Sequence, residues 1–226
     1  MFFRKLIGIL AIAAIIISTP LVILLSNLYF LATPSFLRME YAKPGFPEAP
    51  GFTSEERLQQ ADASVAYLRS SRGIEALEEL RQDDKPLYNE RELSHMADVK
   101  VVMNWAFAVH SIALAVLVIM AIYVLARRDI RDWLPKAVFW GCVVLAGAIL
   151  LIGLAAVINF DFFFVLFHQM FFTGDSWLFL STDSLIRLFP LPFWMDAAAL
   201  WVILALGETV LIGAAAYLWP GWKHGR

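Results

Sequence analysis

Residues Val101–Leu125 read VVMNWAFAVHSIALAVLVIMAIYVL, twenty-five consecutive positions without an Asp, Glu, Lys or Arg. At about 1.5 Å of rise per helical residue this run reaches about 37 Å, enough to cross a hydrocarbon core roughly 30 Å thick. Three further runs have the same character: Leu6–Leu31, Ala137–Phe160 with Asn159 near its end, and Ala197–Trp219 interrupted by Glu208. The expected fold is an all-α integral membrane protein with four transmembrane helices, over 6–31, 101–126, 137–160 and 197–219, in a single membrane domain spanning 1–226. Residues 32–98 and 161–195 are expected to form an extracytoplasmic cap, and 127–136 a short cytoplasmic turn.

Composition agrees: 60% of residues are hydrophobic and 14% aromatic, well above an ordinary soluble domain. The net charge of -2 says little about partners, and no stretch resembles a basic nucleic-acid face. Cys142 is the one cysteine, so no disulfide forms within the chain, and its apolar run keeps the thiol protonated and packing rather than catalytic.

Cations set the expected orientation. Arg4 and Lys5 precede the first run, Arg127, Arg128, Arg131 and Lys136 fill the turn after the second, and Lys223 and Arg226 end the chain. The 160–196 segment carries only Arg187. The positive-inside bias therefore places both termini and the 127–136 turn in the cytoplasm. The first run is too long for a typical signal-peptide core and lacks a small-x-small cleavage site, so it reads as an uncleaved anchor in the cell membrane.

The stretch preceding the second run carries the densest ionisable chemistry. Tyr88–Lys100, YNERELSHMADVK, sets His95 among three carboxyl side chains and two cations. Asn89 and Glu92 have capping-box spacing, so the helix starts near Arg91, before the apolar run. Glu92, His95 and Asp98 then recur every three residues on one face. Upstream, Pro44, Gly45, Pro47, Pro50 and Gly51 exclude a continuous helix. Thr53 and Glu56 open an amphipathic one whose stripe of Leu58, Ala61, Val65 and Leu68 ends near Gly73, and a second short stripe follows at Ile74, Leu77 and Leu80. In the other long segment, Asp161–Phe172 sets six phenylalanines around His168. That piece is too short to span, so it reads as interfacial or re-entrant. Thr173–Trp177, TGDSW, reads as a turn, and the 181–194 segment as a short helix stopped by prolines.

Three motifs in this order, YNERELSHMADVK, FHQMFFTGDSW and STDSLIRLFP, within a four-span chain resemble those of the bacterial lipoprotein intramolecular transacylase (Lit) family. The resemblance extends over almost the whole chain and is most specific in these segments. It implies a substrate lipoprotein whose N-terminal cysteine bears a diacylglyceryl thioether. The sn-2 acyl chain would move to the cysteine α-amino group, leaving a lyso-form lipoprotein. It also implies that function rests on the two motif histidines, His95 and His168.

The residue types suit that chemistry independently. Attack of an amine on an ester needs a base for the ammonium proton and an acid for the departing glycerol oxygen, and imidazole titrates in the useful range. Nucleophile and ester share one substrate, so positioning supplies much of the rate without a covalent intermediate. Which histidine is acid and which is base stays open at this point. Supporting or substrate-binding candidates are Arg91, Glu92, Asp98, Asp175, Trp177 and Arg187. Glu92 or Asp98 would orient His95, and Arg91 or Arg187 would meet a carbonyl oxygen or lipid headgroup. Each has a plainer alternative: Glu92 as a capping residue, Arg187 paired with Asp183, Trp177 and Trp194 in an aromatic belt. Within the spans, Glu208 and His110 lie at matching depths, which makes a buried hydrogen-bonded pair the expectation. The alternative is a protonated Glu208 bonded to Thr209 or to a backbone carbonyl. His224 lies at the inner terminus, away from outward chemistry.

No cofactor and no metal are expected; the partners are the diacylglyceryl lipoprotein and outer-leaflet lipid, with oligomeric state and the side of lipid entry left open. Two other function classes compete. A metal-dependent membrane hydrolase would set His95, His168 and one of Glu92, Asp98 or Asp161 around zinc, but no HExxH-type spacing is present. A lipid-binding or transport protein is suggested by Glu208, yet the spans show no internal repeat.

Overall fold

The computed structural model describes residues 2–172 and 174–220. Thr173, Lys223, His224 and Arg226 therefore lie outside the described residues, as does the Asp161 side chain. Among the described residues, four helices are long and apolar enough to cross a membrane: Phe2–Leu31, Glu90–Ala126, Trp133–Ile158 and Leu191–Leu218. The protein is an all-α, multi-pass membrane protein. Among the described residues, the only strands are one antiparallel pair of two residues each.

In chain order the elements are α1 (Phe2–Ser26), α2 (Leu28–Leu31), α3 (Pro34–Tyr41), α4 (Ser54–Arg69), α5 (Glu75–Glu78), β1 (Arg81–Gln82) and β2 (Lys85–Pro86), followed by α6 (Glu90–Ala126), α7 (Trp133–Ile158), α8 (Phe160–Phe171), α9 (Ser184–Leu188) and α10 (Leu191–Leu218). They fall into two compact units. One holds residues up to Asn27, Ala106–Ile158 and those from Trp201 onward; the other holds Leu28–Trp105 and Asn159–Leu200.

In the first unit α1 packs along α7. Gly141 permits this approach, because a Cβ there would sit 2.7 Å from Thr19 Cβ and 3.0 Å from the Ile16 carbonyl oxygen. Ala11, Ile15, Val124 and Ala137 form one buried cluster; Ile23, Cys142, Leu145 and Ala205 form another. Outward-facing side chains stay apolar, as at Leu151 and Leu211, each 72% exposed. That pattern suits a surface solvated by lipid tails. The first span is not one unbroken helix, since the chain leaves helical geometry at Asn27 before resuming in α2.

Polar groups buried in this unit find partners. The Trp201 Nε1–H donates to the Leu24 carbonyl at 2.7 Å, and Asn27 Nδ2 donates to Glu208 Oε2 at 3.0 Å and to the Ile23 carbonyl at 3.1 Å. Asn27, just past the end of α1, thus donates to Glu208, a partner the sequence reading did not name beside His110. Thr209, the alternative partner, donates to the Ala205 carbonyl at 2.6 Å.

The second unit has its own core, in which Phe36, Leu37, Leu77 and Leu188 are 1% exposed or less. Helix α4 starts as its capping box requires, with Glu56 N–H donating to Thr53 Oγ1 at 3.2 Å and Thr53 N–H to Glu56 Oε2 at 2.9 Å. It stops at Arg69, one turn before Gly73. The short apolar stripe beyond it yields only the single turn of α5, because Asp83 and Asp84, at φ of 50° and 61°, reverse the chain into the β1–β2 hairpin. Arg57 is buried under the Tyr41 and Phe46 rings, at 4.5 and 4.9 Å, and donates to the Arg187 carbonyl at 2.8 Å. It ties α4 to α9.

Candidate active site

His95 and His168 both belong to the second unit. The start of α6 positions the first. Glu92 N–H donates to Asn89 Oδ1 at 3.0 Å and Asn89 N–H to Glu92 Oε2 at 2.9 Å, closing the expected capping box. The other Glu92 oxygen accepts from Leu185 N–H at 2.7 Å, so one carboxylate caps α6 and holds the first turn of α9. Glu92 is 1% exposed, and burial raises its pKa against the pull of these N–H donors. Both of its oxygens are engaged by backbone, which makes it a structural hub. His95 follows one turn later.

Helix α8 carries the second histidine. Asn159 caps it, its Oδ1 accepting from Phe162 N–H at 3.0 Å, and the helix closes with Phe172 N–H donating to the His168 carbonyl at 2.8 Å. His168 Nδ1 lies 2.7 Å from the Phe164 carbonyl oxygen. A carbonyl can only accept, so Nδ1 carries the proton and Nε2 keeps a lone pair in the neutral ring.

Aromatic rings enclose both imidazoles. Phe172, 9% exposed, stands 4.8 Å from the His95 ring and 5.8 Å from the His168 ring, centroid to centroid. Phe179 closes on His95 at 5.2 Å, while Trp177 and Phe164 lie against His168 at 4.9 and 4.1 Å. His95 Nδ1 is buried and unpartnered in this sleeve. Burial pushes His95 down to about 4, with the His168 charge adding to the effect. It also holds His168 below its ordinary value, opposed by the Phe164 carbonyl. Two neutral imidazoles with an aromatic spacer result.

Placement of the other candidates separates them into groups. Trp177, 8% exposed, packs on His168 and donates Nε1–H to the Gly174 carbonyl at 3.1 Å, so it lines the histidine instead of joining a belt. Arg91 pairs with Asp183 at 3.3 Å. Arg187 does not pair with Asp183 through its side chain; it donates to the Pro50 carbonyl at 3.0 Å and Gln82 Oε1 at 2.6 Å and covers the Phe52 ring at 4.5 Å. Asp183 instead accepts from Leu180 N–H at 2.8 Å and Asn89 Nδ2 at 3.2 Å. Asp98 is half-buried one turn beyond His95, and Asp175 is exposed in the turn after α8. His110 and Glu208 belong to the other unit. Among the described residues no group of three or more His, Cys, Asp or Glu side chains is arranged to hold a metal ion; Asp161, one of the proposed zinc ligands, has its side chain outside that set.

Sequence reasoning missed the roles of Phe172, Phe179 and Asn27. The two phenylalanines were indistinguishable from an interfacial belt. Asp183 entered the sequence reading only as a partner for Arg187; its side chain does not cap α9 and accepts instead from Leu180 N–H, Asn89 and Arg91.

The family model described as lipoprotein intramolecular transacylase Lit matches residues 11–194. An uncharacterized protein of Aquifex aeolicus (strain VF5) is 30% identical over 179 residues, covering 78% of this chain and 79% of that one. The solved structure of the membrane-integral lipoprotein intramolecular transacylase Lit from Bacillus cereus is similar with a TM-score of 0.74 at 21% identity, covering 93% of this chain and 94% of that one. A variant of that protein with one histidine changed to arginine is similar with a TM-score of 0.72 at 21% identity, over 100% of this chain and 97% of that one.

Proposed function

The chain belongs to the lipoprotein intramolecular transacylase family, an acyltransferase family, and from that membership and the two enclosed imidazoles we propose that His95 and His168 move the sn-2 acyl chain of a diacylglyceryl lipoprotein to its N-terminal cysteine nitrogen. The observation that carries this reading is the arrangement around Phe172: two neutral histidines on different helices, one with its tautomer fixed.

His168 Nε2 takes a proton from the substrate ammonium and passes it to water. The freed amine attacks the ester carbonyl, forming the C–N bond. His95 then carries the second nitrogen proton to the glycerol oxygen as the C–O bond breaks. The products are an amide and a glycerol hydroxyl, with one proton released. Neither a serine nor a cysteine nucleophile enters, and the sleeve of Phe164, Phe172, Trp177 and Phe179 supports the reading by limiting water near the ester.

The reaction face is the outer one. Clustered cations in the 127–136 turn support this orientation. Mass spectrometry of a lipoprotein N-terminus after co-expression tests the activity: the wild type converts a free α-amine to an N-acyl product of unchanged total mass. His95→Ala and His168→Ala each lose about two to four orders of magnitude in rate while inserting normally, the scale for removing a positioned acid or base. Near-normal turnover in either variant removes that histidine from the mechanism.

A further inference from the structure

A cleft of about 620 Å³ opens in the second unit, lined by β2, the start of α6 and the approach to α9. Leu77, Leu87 and Tyr88, each at most 4% exposed, form its floor. Exposed Glu78 and Glu90 stand at its rim. A smaller hollow of about 290 Å³ shares Pro86, Leu87 and Ser184 with the cleft and extends it towards Gly51 and Arg187. Together they make one groove.

The acids within the groove differ in what they already hold. Glu92 is occupied by backbone N–H groups and Asp183 by Arg91 and Asn89. Among the described residues neither Glu78 nor Glu90 forms an ion pair. An apolar floor beneath two uncommitted carboxylates complements an extended polypeptide with a basic side chain. The carboxylates repel a phosphate headgroup at this end of the groove, whereas Lys85 and Arg187 line the other end.

The groove also approaches His95 along α6, since Glu92 in its lining lies one turn before that residue on the same face. Glu90 at the rim lies five residues before His95 and about 140° round the helix, so the path exceeds the about 7.5 Å of axial rise and takes three or four residues of extended chain at about 3.3 Å each. We infer that this groove holds the lipoprotein polypeptide immediately after its acylated cysteine, with a basic side chain at the third or fourth following position set over Glu78 and Glu90. The inference rests on the transacylase reading above, which places the cysteine nitrogen at the histidines. The groove is a specificity site, and the histidines are the reactive one.

The test uses the full chain in phosphatidylcholine nanodiscs and two fluorescent diacylglyceryl-cysteine octapeptides, identical except for a Lys-Lys or a Glu-Glu pair at the third and fourth positions after the cysteine. Equilibrium binding and acyl transfer are read separately. The wild type binds the basic peptide about five- to tenfold more tightly, the scale for two rim ion pairs, and the preference shrinks in high salt. Glu78→Gln with Glu90→Gln removes the preference, and Glu78→Lys with Glu90→Lys inverts it. Equal binding of the two peptides by the wild type, or a preference that survives both variants, overturns the groove assignment. Charge-dependent binding without acyl transfer leaves the groove standing and sinks the transacylase reading. Acyl transfer without charge-dependent binding does the reverse.

Discussion

Phe172 gives the two histidines a common apolar wall, and that wall decides their protonation. Desolvation disfavours the imidazolium, so His95 and His168 rest neutral where free imidazole would be partly charged. A base that starts neutral is ready to accept a proton. The sign follows for stability as well: with the folded pKa of His95 near 4 and the unfolded one near 6.5, the unfolded chain binds the extra proton first, so stability falls between those pH values as pH drops and levels below them. A histidine-labelled NMR titration of His168→Gln, which leaves burial as the cause of the shift, should find His95 uncharged at pH 5.5. An inflection at the free-imidazole value would show that the ring is solvated and the sleeve open.

At the scale of elements, Glu92 joins α6 to α9 by accepting from Asn89 and Leu185 backbone groups at once. Glu92→Ala leaves buried donors unsatisfied, at about 1–3 kcal/mol for each, so it should lower thermal stability and misplace His95. His95→Ala removes turnover with stability retained. Equal stability in the Glu92 variant would show that water satisfies those groups. The α1–α7 contact makes a different demand. Gly141→Ala drives a methyl into Thr19, with an expected loss of about 1–3 kcal/mol from overpacking, read as an earlier melting temperature. An unaltered melt would mean that the helices slide apart freely at this crossing.

Element type was readable where local chemistry dominates. Uncharged length identified the four spans, and reciprocal Thr53–Glu56 and Asn89–Glu92 spacings located two helix starts. Boundaries governed by tertiary contacts were not. Helix α10 begins at Leu191, before Ala197, because Pro192 sits in its first turn, where a missing N–H costs no helical bond. Helix α7 likewise starts at Trp133 with Pro135 in its first turn. The site was legible as two histidines in polar or aromatic contexts, whereas Phe172 and Phe179 required the fold to distinguish them from many similar rings. Depth alone suggested His110 for Glu208 and says nothing of helix rotation; Asn27, which donates to Glu208, was overlooked because it lies towards the expected end of a span.

For the whole molecule, orientation determines whether the proposed chemistry meets its substrate. Cysteines introduced in the Pro44–Gly51 loop and at Gly174 should react with an impermeant maleimide on intact cells, while one at Arg128 should react only after lysis. Labelling at Arg128 but not Gly174 would invert the topology and put both histidines on the cytoplasmic side. The two compact units also differ in chemistry: one carries lipid-compatible helices with sparse internal polar bonds, and the other holds most of the charged residues and both His95 and His168.

The bond between Asn27 and Glu208 joins residues 181 positions apart, so its halves leave the ribosome at different times. At about 5–20 residues per second, the first waits roughly ten to forty seconds for the second. During that interval the Ile23 carbonyl, 3.1 Å away in the finished fold, offers the amide a local acceptor within its own helix. Asn27 can thus enter the bilayer before its long-range partner exists, whereas Glu208 arrives when its donor is already present. The order of synthesis lets the less costly polar group wait in lipid and brings in the carboxylate last.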